Sequence, residues 1–64
     1  MEQEIAYWKS VTSKYKDYRD PYLRLAVLEY ALGNSDAAKQ YVQKALEIDP
    51  EYENAKIFAS QIRS

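Results

Sequence analysis

The residues of this sequence best suited to chemistry are charged. Arg24 carries a guanidinium that can fork onto a carboxylate through two parallel hydrogen bonds. Lys9, Lys14, Lys16, Arg19 and Arg24 form a basic cluster, and Glu51 and Glu53 stand close enough to suggest paired-carboxylate acid–base work. Each set has a plainer account. Glu2, Glu4, Asp17, Asp20 and Glu29 balance the five cations one for one, and the net charge of −1 leaves no field to draw in nucleic acid or anionic lipid. Glu51 and Glu53 fall near a helix start, where acidic groups complement the helix dipole. With no His and no Cys there is no imidazole base, thiol nucleophile, thiolate zinc site or disulfide framework. One glycine cannot build the backbone cradles that phosphate chemistry favours. The residues therefore predict no enzyme, no metal and no cofactor.

Those side chains must be held by helices. A single Gly and two Pro in 64 residues leave little material for turns, which favours a few long helices over many strands. Asp20-Pro21, Gly33-Asn34 and Asp49-Pro50 punctuate four segments. Ile5, Trp8, Thr12 and Tyr15 share one side of the first, with Val11 and Tyr18 adjoining. Ala38, Tyr41, Val42 and Ala45, then Ala55, Phe58, Ala59 and Ile62, repeat the i, i+3, i+4, i+7 spacing of an amphipathic helix. The pattern predicts an all-α chain with helices over 2–15, 21–32, 36–48 and 52–63, joined by connections short enough to make neighbours antiparallel. It reads as one domain, 1–64. The acidic, polar start differs from a signal peptide, and no apolar run nears the roughly 20 residues needed to span a bilayer. The expectation is a cytoplasmic protein with no membrane and no nucleic-acid partner.

The second segment stands apart. Between Tyr22 and Leu32 only Arg24 and Glu29 are polar. Tyr22, Leu25, Ala26 and Leu32 make one stripe, and Leu23, Val27 and Tyr30 make another. A helix with more apolar surface than its neighbours can cover offers the remainder to something else.

Displacing the sequence by 34 residues lays Trp8 on Val42, Val11 on Ala45, Asp17-Tyr18 on Glu51-Tyr52 and Leu25 on Ala59. A period of 34 is that of the tetratricopeptide repeat, whose pattern is Trp, two residues, Leu-Gly, two residues, Tyr, then Ala, three residues, Phe, and later Pro. Tyr22, Leu25-Ala26, Glu29, Ala38, Val42 and Pro50 keep those spacings. Ala45-Leu46-Glu47-Ile48-Asp49-Pro50 resembles the family's usual helix ending. Glu29 departs from it, standing where an aromatic is usual; so do Lys16, in place of a proline, and Lys56, in place of an aromatic. The resemblance implies one complete repeat over about 19–52, a preceding-repeat helix within 1–18 and a capping helix within 53–64.

It also implies antiparallel helical hairpins, and a protein or peptide partner held against the first helix of each repeat. Carried over, the partner-facing positions are Asp20, Leu23, Arg24, Val27, Tyr30 and Ala31, with Asn54, Ile57 and Gln61 on the last helix. Some family members clamp a terminal carboxylate with Lys, Arg and Asn. Here Leu23 and Val27 fill positions where that clamp needs polar groups, so an apolar helix or extended segment is the expected ligand. The alternative is self-assembly, a homodimer or a helix-swapped oligomer, with Tyr7, Trp8 and Val11 as contacts.

Overall fold

The computed structural model describes residues 2–62, which form four helices: α1 (Glu2–Lys14), α2 (Arg19–Ala31), α3 (Ser35–Ile48) and α4 (Glu53–Ile62). Successive helices form the antiparallel hairpins anticipated from the sequence, with α2 against α3 as the most extensive contact and α1 and α4 flanking them. Boundaries differ by one or two residues. The largest shift is at α2, which starts at Arg19 rather than Pro21. A proline in the first turn sacrifices no intrahelical bond, because the N–H groups there have no helical acceptor.

The α2–α3 turn is built by Gly33 at φ +87, the left-handed region that an L side chain enters at a cost. The Gly33 N–H donates to Tyr30 O at 3.0 Å and the Asn34 N–H to Glu29 O at 2.9 Å. This Schellman pairing satisfies carbonyls that the end of α2 would otherwise leave open. At the α3–α4 turn the Glu51 N–H donates to Asp49 Oδ1 at 3.1 Å. The aspartate thus closes the turn around Pro50 with its own side chain.

Two apolar clusters hold the helices. Tyr22 and Ala26 of α2 meet Ala38, Val42 and Ala45 of α3, and the cluster runs on through Tyr52, Ala55 and Ile62. Ala26, Ala38, Ala45 and Ala55 have no exposed surface, so the helices approach closely wherever a methyl is the largest group. The second cluster docks α1: Ile5 packs with Leu25 and Leu28, with Trp8 beside them. Tyr41 touches both clusters and ties α1 to the α2–α3 hairpin.

Four residues depart from the sequence reading. Leu28, assigned to neither stripe, is buried under α1, whereas Leu32 caps α2 and is 43% exposed. Tyr15 lies beyond the end of α1 and stacks on Tyr18, with ring centroids 5.6 Å apart, both rings facing water. Glu29 is buried, and its Oε1 accepts a 2.9 Å hydrogen bond from Asn34 Nδ2. The Asn34 amide is therefore engaged with that carboxylate, and Asn34 makes no side-chain cap on α3.

Candidate functional site

A groove of about 530 Å³ is lined by Trp8, Asp20, Leu23, Arg24, Val27, Tyr52 and Asn54. Helix periodicity places Asp20, Leu23, Arg24 and Val27 on one side of α2, one turn apart in pairs. Their neighbours Tyr22, Leu25 and Ala26 point into the core. Leu23 is half-buried against that core, while Val27 is 41% exposed. The floor is thus aliphatic and the rim polar, an arrangement suited to an apolar ligand oriented by a few hydrogen bonds.

The rim is fixed at one end by a network across two helices. Tyr52 Oη donates to Asp20 Oδ1 at 2.6 Å, the Arg19 guanidinium lies 4.0 Å from the centroid of the Tyr52 ring, and Arg19 also pairs with Asp49. Burial pushes the Tyr52 hydroxyl up to about 12. The hydrogen bond to Asp20 and that carboxylate's charge act in the same direction, against the opposing pull of Arg19 and Arg24. Tyr52 is therefore a neutral donor, and it holds the start of α2 against the start of α4. Arg24 stands 5.8 Å from the Trp8 ring centroid, an exposed cation beside an aromatic wall.

The groove gathers Leu23, Arg24, Val27 and Asn54 from the positions expected on sequence grounds, together with Asp20. Tyr30, Ala31, Ile57 and Gln61 are exposed on the same two helices outside it, with Ile57 54% exposed. Tyr30 meets Phe58 edge-on at 5.8 Å, extending the apolar surface from α2 to α4. Tyr52, Phe58 and the groove-facing side of Trp8 were missed. For Tyr52 a signal existed: Asp20 and Tyr52 open two helices that are one repeat apart. Trp8 also sits edge-on to Tyr7 at 5.1 Å, so it has a foot on both the groove and the outer side of α1.

A second depression, of about 390 Å³, lies between α3 and α4 and is lined by Lys39, Val42, Gln43, Leu46, Ala59 and Ile62. None of its lining residues is aromatic. Among the described residues no cluster of His, Cys, Asp and Glu could hold a metal ion, and no helix is long and apolar enough to cross a membrane.

The model of the tetratricopeptide repeat matches residues 20–52, more than half of the chain. The chain belongs to the tetratricopeptide-repeat family. Searches of curated proteins and of solved structures return no match. Tetratricopeptide repeats are generally protein–protein interaction modules and typically non-catalytic. Its departure from the family pattern at Glu29 is accommodated locally, because Asn34 supplies a polar partner for a side chain in an apolar slot.

Proposed function

We propose that this tetratricopeptide chain binds a partner protein by holding an apolar helix or extended segment along α2 and α4. In this reading α2 and α3 form the complete repeat, α1 is the second helix of a preceding one, and α4 is a cap. The observation that carries the proposal is the set of apolar side chains left facing water on one side of these helices. Val27, Tyr30 and Ile57 are 41%, 45% and 54% exposed, although each lies within a turn of fully buried core residues. Exposed apolar surface rimmed by polar groups marks an interaction site. Arg24, Asp20 and Asn54 then fix the direction of the bound segment. A terminal-carboxylate clamp is not supported, since Leu23 and Val27 occupy positions where it needs polar groups.

The test is a panel of immobilised peptides, amphipathic-helical and extended, screened with the protein and with Val27→Asp/Ile57→Asp. Both substituted residues are exposed, so helicity by circular dichroism should be unchanged while capture falls at least tenfold. Leu23 is a poorer probe because it packs on the core. Equal capture by the double variant would reject the groove.

A second reading, association with another copy of the chain, is favoured by one feature of α1. Tyr7 is 61% exposed, and Val11, one helical turn further on, is half-buried and lies outside the cluster that Ile5 makes with Leu25 and Leu28.

A further inference from the structure

Glu4, Tyr7, Val11 and Lys14 follow one another along α1 at intervals of three, four and three residues. That is the a, d, a, d spacing of a seam by which one helix packs along another. Glu4, Tyr7 and Lys14 are exposed and Val11 is half-buried, while Ile5 and Trp8 on the adjoining side meet the α2 cluster. Thirty-four residues further on, the same register in α3 is Ala38, Tyr41, Ala45 and Ile48. There it is a packed face: Ala38 and Ala45 have no exposed surface, and Tyr41 and Ile48 are half-buried. In α1 the corresponding seam is open to water at Glu4, Tyr7 and Lys14, with Val11 partly covered.

We propose that this seam pairs with its own counterpart on a second copy, with the two α1 helices antiparallel about a two-fold axis beside Lys9. This rests on the self-association reading above and adds the surface, the direction and the register. A symmetric contact requires that whatever residue i meets also meets i in return. Turning α1 end for end about position 9 sets Glu4 against Lys14 of the second copy, and Tyr7 against Val11 of the second copy. Lys14 and Val11 are matched in the same way, so every layer finds its complement. Acid meets base at both ends, and a large ring meets a small branched side chain in both central layers. Antiparallel seams join a positions to d positions, and that is what this register does. A parallel pairing would set Glu4 on Glu4 and Lys14 on Lys14, repelling at both ends. The Trp8 ring, edge-on to Tyr7, widens the apolar strip that the pairing removes from water.

The experiment is gel filtration with light scattering at high micromolar concentration, on the whole chain and four variants. The expected mass for the unsubstituted protein is twice the 7.5 kDa of one chain. Glu4→Lys and Lys14→Glu should each weaken the dimer by roughly tenfold, since each turns two attractive exposed pairs into repulsive ones. The Glu4→Lys/Lys14→Glu protein should recover the original dimer, and an equimolar mixture of the two single variants should form a heterodimer. Raising salt should shrink all of these differences. Circular dichroism checks that each variant keeps its helices, and Tyr7→Ser, at a largely exposed residue, should also lower association without a charge change. A single-chain mass for the unsubstituted protein overturns both self-association and this pairing. A dimer whose charge swap is not rescued by the double variant overturns the register alone.

Discussion

Tyr52 and Asp20 are 32 residues apart, and a 2.6 Å hydrogen bond joins them. The bond spans two helix starts, Asp20 in the first turn of α2 and Tyr52 just before α4, and so fixes the width of the groove between them. Tyr52→Phe keeps the ring and its contact with Arg19 and deletes only the hydroxyl. The bond is charge-assisted but partly open to solvent, so the cost should be about 1 kcal/mol. For a domain of this size that is roughly 4–8 °C in thermal midpoint, read by circular dichroism. The same contact has a pH signature. The hydroxyl's folded pKa, about 12, lies above its ordinary value of 10.0. Its contribution is therefore fully present below pH 10 and is lost as pH rises toward 12. Between those values the stability of the unsubstituted protein should fall toward that of Tyr52→Phe, and a constant gap between the two would contradict the linkage.

Glu29 presents the opposite problem, a buried carboxylate at a position where the family pattern has an aromatic. Asn34 Nδ2 is its hydrogen-bond donor. Asn34→Ala should cost about 1–2 kcal/mol, because it leaves a buried acceptor without that partner. Asn34→Asp should cost more, since it adds a like charge beside the first. Introducing Glu29→Gln into the Asn34→Asp background removes that repulsion and should restore part of the loss. Urea unfolding of the unsubstituted protein, Glu29→Gln, Asn34→Asp and Glu29→Gln/Asn34→Asp forms a double-mutant cycle, and a coupling energy near zero would show that the contact contributes nothing.

Periodicity alone revealed most of the fold. The apolar spacings of α3 and α4 marked their buried faces, and Gly33 marked the turn because only glycine enters that backbone region cheaply. What periodicity could not resolve was which side of α2 each neighbour covers. With apolar groups almost all round, Leu28 and Leu32 look alike in sequence. Only the approach of α1 and the capping turn separate the buried one from the exposed one. The groove was half legible for the same reason. Leu23 and Val27 showed as a surplus stripe, whereas Tyr52 enters through a contact between distant turns, signalled only by the repeat that sets its helix start 34 residues from that of α2. Trp8 read as apolar, but its double position depends on how α1 docks.

That docking rests on Leu25, the largest side chain with no exposed surface, which packs with Ile5 and Leu28 beneath α1. Leu25→Ala should cost about 3–5 kcal/mol, from lost apolar burial plus the cavity left behind. A chain of this length has little stability in reserve, so α1 should detach before global unfolding. Trp8 is the single tryptophan and lies against this cluster, so its emission should move to longer wavelength as α1 lifts away. Ala26→Leu fails by the other route: Ala26 has no exposed surface where α2 meets α3, and added carbons must force the helices apart at about 1–3 kcal/mol. Its tryptophan signal should move only with the main unfolding transition, because Ala26 belongs to the α2–α3 cluster and not to the one under α1. Identical tryptophan and circular-dichroism transitions in Leu25→Ala, with native emission up to the midpoint, would show that α1 is held by contacts other than this leucine.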